Sequence, residues 1–148
     1  MTYPVAKTDP KATYLSKTLK YEKPLVSCRF DPTGRYLFAA SQDFSVIRWT
    51  LADDSMKVYK AHNAWVLGLE FSLDGKTVVS SGYDDRLFFW DVEDERDEPK
   101  PVREIVAHKG WIRAISLSPD GKLLASGGND RIVKIWDMES GKLTKELV

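Results

Sequence analysis

Short runs of alternating apolar and polar residues recur along this chain, and clusters of Pro, Asp and Gly interrupt them. Val26, Cys28 and Phe30 alternate with Ser27 and Arg29, and Val133 and Ile135 flank Lys134. A period of two is that of a strand whose two faces meet different surroundings. Runs of this kind cover residues 25–30, 65–71 and 111–117, and a second set covers 36–40, 77–81 and 123–126. Between the two sets lie Asp31 to Gly34, Ser72 to Gly75 and Ser118 to Gly121. These read as tight turns, because Pro presets φ and Gly accepts positive φ. A third set of runs ends on Trp49, Trp90 and Trp136, each six residues after an acid: Asp43, Asp84 and Asp130. A fourth set covers 56–60, 102–106 and 142–147. No stretch carries a helical period. The pattern predicts an all-β chain built from three units of four short antiparallel strands.

The units are phased. The three tryptophans lie 41 and then 46 residues apart, and Gly34, Gly75 and Gly121 keep the same two spacings. A period in this range marks a repeat architecture. The second and third units carry Ala61-His62 and Ala107-His108, Trp90-Asp91 and Trp136-Asp137. In both, the His precedes the unit's Asp by 22 residues, and Ser80 or Ser126 stands four residues before that Asp. With these motifs the chain resembles the WD40 repeat family, whose units are four-stranded blades of a β-propeller. The resemblance implies two buried polar networks: His62, Ser80, Asp84 and Trp90, then His108, Ser126, Asp130 and Trp136. The first unit keeps Asp43 and Trp49. It has Ala39 in place of the Ser, Tyr21 where a His would stand, and Thr50 after the Trp, so its network is expected to be incomplete. The resemblance covers residues 13–148. It implies an extra outer strand over 13–20, belonging to an earlier blade, and blades over 24–60, 64–106 and 110–147; residues 1–12, polar with two prolines, read as a flexible tail.

Charge narrows the choice of partner. The 22 basic and 22 acidic residues cancel, leaving no overall electrostatic footprint for nucleic acid or an anionic membrane. No run approaches the ~18 apolar residues of a spanning helix. The first residues show no apolar core of a secretory leader, and the expectation is a cytoplasmic protein. Cys28 is the only cysteine, so no internal disulfide can form; on an alternating strand it is expected to be a small buried hydrophobe. Residues 91–101 hold six acidic residues against two basic ones. They read as a solvated loop, with an acidic docking loop as the alternative.

Ser, His and Asp occur in phased positions twice, which could suggest hydrolytic chemistry. A catalytic Ser needs an exposed position and an oxyanion hole. Ser80 and Ser126 instead fall in strand interiors, and repetition on a structural period points to scaffold. Two histidines and one cysteine offer no metal-ligand spacing, no phosphate-binding loop is present, and Asp84-Asp85 reads as a network residue followed by a turn residue. The expectation is a protein with no metal, no cofactor and no catalytic residues.

Surface recognition is left. The resemblance implies three exposed positions per blade at one rim of the propeller: Leu25, Ser27 and Gln42; Trp65, Leu67 and Tyr83; Trp111, Arg113 and Asn129. Trp, Tyr and Arg are enriched at binding hot spots, so these residues are candidates for holding a protein or peptide, although the tryptophans could instead pack between blades. The expected function is a non-catalytic interaction scaffold, with a regulatory segment of a larger protein and a propeller enzyme as alternatives. Three blades leave two open faces, since propellers have about four to eight. The expectation is therefore a partial propeller, either a piece of a longer one or an arc that self-associates.

Overall fold

The computed structural model describes residues 14–148; the expected tail over 1–12, together with Thr13, lies outside the described residues. Twelve strands form three separate four-stranded antiparallel sheets, each a simple meander. Blade one holds β1 (Leu25–Phe30), β2 (Tyr36–Ser41), β3 (Ser45–Thr50) and β4 (Met56–Lys60). Blade two holds β5 (Val66–Phe71), β6 (Thr77–Gly82), β7 (Arg86–Asp91) and β8 (Arg103–Val106). Blade three holds β9 (Ile112–Leu117), β10 (Leu123–Gly128), β11 (Val133–Asp137) and β12 (Leu143–Leu147). Among the described residues no helix is long and apolar enough to cross a membrane.

The first turn of each blade is set by Gly34, Gly75 and Gly121, whose φ values of 72, 71 and 73° are left-handed. Each of these glycines donates its N–H to the carbonyl three residues back, closing the turn. At the opposite end of each blade the β2–β3, β6–β7 and β10–β11 turns put Phe44, Asp85 and Arg131 at φ 74, 61 and 68°. Side chains other than Gly and Asn seldom adopt that region.

The core lies in the seams between blades. Phe38, Val46 and Tyr59 of blade one meet Phe71, Val78 and Trp90 of blade two, all at most 4% exposed. The rings interlock edge to face, Phe38 on Phe71 at 5.3 Å and Tyr59 on Trp90 at 5.5 Å. Each such side chain contributes roughly 1.5–3 kcal/mol by leaving water. The second seam brings Val79, Leu87 and Phe89 against Ile112, Leu124 and Trp136.

The acidic loop is anchored at points to blade one, while most of its residues stay exposed. Val92 is fully buried in the first seam, and its carbonyl accepts from Arg48 Nη1 at 2.6 Å. Glu95 accepts from Arg48 Nη2 at 2.8 Å and from Lys57 Nζ at 3.2 Å, and Glu93 pairs with Arg35. Blade one supplies all three bases, so the loop straps blade two to blade one. The Arg96 guanidinium holds the neighbouring Asp94 carboxyl far below the usual carboxylate range.

Two further expectations are corrected. Residues 14–20 form no strand here; an outer strand needs a ladder partner, and the earlier blade it was expected to complete is not among the described residues, while β4 fills the outer edge of β3. The segment instead leans on blade one through Leu19, against Ala39, Ile47 and Trp49. Cys28 is exposed, not buried. It shares a face of β1 with Leu25 and Phe30, which are 43% and 62% exposed. Ser27 and Arg29, on the other face, make the seam contacts to blade two. At the far end of the arc Val133 is 40% exposed, whereas Val46 and Leu87 at the same place in their blades are fully buried. One face of blade one and one of blade three therefore lack a neighbouring blade among the described residues.

Candidate functional site

Two polar chains stand inside blades two and three. Ser80 and Trp90 lie on one face of neighbouring strands, because Val78 pairs with Trp90 and Ser80 with Phe88. Trp90 Nε1 donates to Ser80 Oγ at 2.8 Å, Ser80 Oγ lies 2.7 Å from His62 Nε2, and His62 Nδ1 lies 2.7 Å from Asp84 Oδ2. With a neutral imidazole carrying its proton on Nδ1, each link has one donor: indole to hydroxyl, hydroxyl to imidazole, imidazole to carboxylate. Blade three repeats the chain at 2.8, 2.7 and 3.0 Å through Trp136, Ser126, His108 and Asp130. Burial pushes the Asp84 carboxyl up. The hydrogen bonds from His62 and from the Asn63 and Arg86 amides outweigh it and leave the group below its ordinary range. Asp130 is likewise lowered against its burial, by the amides of Lys109 and Ile132 and by His108.

The arrangement has the connectivity of a Ser-His-Asp triad without its access. Ser80 and Ser126 are at most 1% exposed, and an indole N–H occupies a lone pair of each hydroxyl. A substrate carbonyl has no path to either oxygen, so the chain fastens the loop before each first strand to the turn between the middle strands. Among the described residues no group of His, Cys, Asp and Glu gathers to hold a metal ion.

Blade one replaces the His with a phenol. Tyr21 donates its O–H to Asp43 Oδ2 at 2.7 Å, and Tyr21 precedes Asp43 by the same 22 residues that separate His from Asp in the other blades. That spacing is the signal in the sequence for this role. Burial and the Asp43 carboxylate raise the Tyr21 phenol above its ordinary value. Ala39 offers no hydroxyl to Trp49, so the chain stops at the tyrosine.

The rim above these networks carries a continuous stack. The Trp65 and Tyr83 rings lie 5.8 Å apart and 15° from parallel; Tyr83 and Trp111 lie 4.2 Å apart and 12° from parallel. The Arg113 guanidinium lies over the Trp111 ring, 5.2 Å from its centroid. Trp65 and Tyr83 belong to blade two, Trp111 and Arg113 to blade three, so the stack crosses the seam. Trp65 and Trp111 are still 41% and 42% exposed; they pack on Tyr83 and stay open to solvent.

The backbone explains the placement. Tyr83 N–H donates to Trp65 O, and Asn129 N–H to Trp111 O. Each first strand also carries a bulge: pairing skips Leu67 in β5 and Arg113 in β9. A bulge re-aims its extra residue, here toward the rim. In blade one the skipped residue is Val26, and Gln42 N–H donates to Pro24 O. Pro24 and Val26 therefore hold the rim positions assigned above to Leu25 and Ser27. Ser27 turns into the seam, where its hydroxyl donates to Leu67 O at 2.6 Å. The 41-residue spacing, counted back from Trp65 and Leu67, leads to these two residues. Leu67, Tyr83 and Gln42 are half-buried, and Arg113 and Asn129 are exposed.

Comparison with known proteins follows this geometry. The family model for the WD domain, G-beta repeat, matches residues 14–50, 53–91 and 99–137. The chain belongs to the WD40 family. Transducin beta-like protein 3 of Rattus norvegicus is 40% identical over 84 residues, covering 55% of this chain and 10% of that protein. The COMPASS component SWD3 of Saccharomyces cerevisiae is 33% identical over 72 residues, covering 47% of this chain and 23% of that one. The chain thus spans a tenth to about a quarter of the length of these relatives. The solved structure of U3-55K superimposes with a TM-score of 0.80 at 19% identity, over 88% of this chain and 41% of that one. WD40 repeat proteins are in general protein-interaction scaffolds.

Proposed function

We propose that this WD40 arc is a non-catalytic scaffold that holds a protein or peptide partner on the rim carrying Trp65, Tyr83, Trp111 and Arg113. The observation behind this reading is the stack: large rings, fixed by one another and by backbone hydrogen bonds, that still face solvent. Rings held in place lose little conformational entropy on binding, which is why such residues dominate recognition surfaces. The Ser, His and Asp side chains of blades two and three are buried and bonded to one another, which favours binding over catalysis. Relatives named as a COMPASS component and as a subunit of chromatin assembly factor 1 favour a place within a multiprotein assembly.

Affinity purification with the wild-type chain and with Tyr83→Ala/Arg113→Ala tests this reading. Both chains are first checked for equal thermal unfolding. Loss of specific partners from the variant supports the rim, and unchanged recovery refutes it.

A further inference from the structure

The blade-three end of the rim differs in charge from the rest of the molecule. Lys109, Arg113 and Arg131 are exposed there, and none forms an ion pair among the described residues. The loop of Lys109 and the turn of Arg131 are tied together, since Asp130 accepts from His108 Nδ1 and from the Lys109 amide. Those bonds, with one from the Ile132 amide, also occupy the Asp130 carboxylate. Asp85 lies 3.7 Å from Arg86, and Glu104 pairs with the same arginine. Three cations unpaired among the described residues thus lie on the loop before β9, on β9 and in the β10–β11 turn, at one end of a chain with no net charge, and Arg113 lies over Trp111.

Tyr83 stacks with both Trp65 and Trp111, and the Arg113 guanidinium lies over the Trp111 ring. Three exposed cations beside this stack complement carboxylates in charge, and the ring edges add the positive end of the aromatic quadrupole.

Resting on the reading of this rim as a partner surface, we infer that the blade-three end binds an acidic peptide segment, with Arg113, Lys109 and Arg131 receiving Asp or Glu side chains. Arg113 is the central contact, because the bulge and Trp111 hold its guanidinium in place before binding.

The test is fluorescence anisotropy with a labelled Asp/Glu-rich peptide and its Asn/Gln twin, on the full 148-residue chain. The variant is Arg113→Ala/Arg131→Gly. Its second change removes a cation while giving the turn a residue at ease with positive φ, so a folded product is expected and a thermal melt verifies it. The inference expects the acidic peptide to bind roughly tenfold more tightly than its twin, to weaken as salt rises, and to lose roughly tenfold on the variant. Equal binding of the twins, reduced by Tyr83→Ala but not by the arginine changes, overturns the acidic assignment and leaves the partner rim standing. No binding of either peptide also overturns it, and the affinity purification then decides the rim separately. Displacement of the acidic peptide by an equimolar thymidine oligonucleotide overturns it in favour of nucleic acid.

Discussion

Ser80 and Ser81 are neighbours on β6, and both are fully buried. The same substitution, Ser→Ala, is expected to act on them with opposite signs. Ser80→Ala removes the oxygen that accepts from Trp90 Nε1 and meets His62 Nε2. It leaves a buried indole N–H and a buried imidazole nitrogen without partners. Each orphaned group costs about 1–3 kcal/mol, so the loss is about 2–6 kcal/mol, against a total stability of about 5–15 kcal/mol for a typical domain. The Ser81 hydroxyl is buried with no hydrogen-bond partner among the described residues. Ser81→Ala removes an unpaid desolvation and should be neutral or stabilise by about 1 kcal/mol. Urea unfolding followed by tryptophan fluorescence reads both. With a slope of about 2 kcal/mol/M, Ser80→Ala should lower the midpoint by about 1–3 M, and Ser81→Ala should hold or raise it. The two changes delete the same atom from the same strand, so their difference isolates hydrogen bonding from packing. Losses of equal sign and size at both positions would refute the reasoning, because packing alone would then explain them.

Other expectations follow from the same contacts. A Cβ on Gly128 would lie 2.2 Å from His108 Nδ1 and 2.5 Å from Asp130 Oδ1, whereas one on Gly127 meets nothing within 4 Å. Gly128→Ala should therefore destabilise the fold by several times the effect of Gly127→Ala in a paired thermal melt. Glu95→Gln weakens the strap to Arg48 and Lys57; since Glu95 is largely exposed, the loss should be no more than about 1 kcal/mol and should shrink as salt is added during urea titration. The carboxyls of Asp84 and Asp130 sit below their ordinary range, so the unfolded chain takes up protons first as pH falls. Their contribution is full above the ordinary carboxylate value of about 4 and is lost as pH drops through the depressed folded values. Melting temperature against pH should show that fall, and Asp84→Asn should make it shallower.

Strand positions are legible in this sequence because turn glycines and period-2 runs recur in phase. Both sides of a blade seam impose the same apolar spacing on every copy, so the repeat carries more information than any single segment. Blade one misleads because Val26 imitates Val66: both are small apolar residues early in a first strand. Register there is decided by a bulge, which adds a residue and so puts Leu25 and Ser27 on opposite faces. Tyr21 is legible only through its 22-residue distance to Asp43, the distance at which His62 and His108 meet Asp84 and Asp130. Residues 14–20 look like a strand, but pairing depends on an available edge, a property of the assembly rather than of the segment. The docking of the acidic loop is hidden for a similar reason. Its three bases lie 38 to 58 residues away in blade one, and nothing local marks them as its partners.

Stability and recognition draw on separate atoms that share a backbone. In the chain from Trp136 through Ser126 and His108 to Asp130, the side chains are bonded to one another, leaving none to greet a ligand. That same chain ties the loop of Lys109 and Trp111 to the turn of Asn129 and Arg131. The Asn129 N–H then fixes the Trp111 carbonyl, and the bulge next to it lifts Arg113 over the ring. The rim is thereby ordered before any partner arrives, and binding need not supply the entropy of arranging it. A change deep in the network, such as Ser126→Ala, should reach the rim only through this loop pairing. A change on the rim, such as Arg113→Ala, should leave the network and the seam stability untouched.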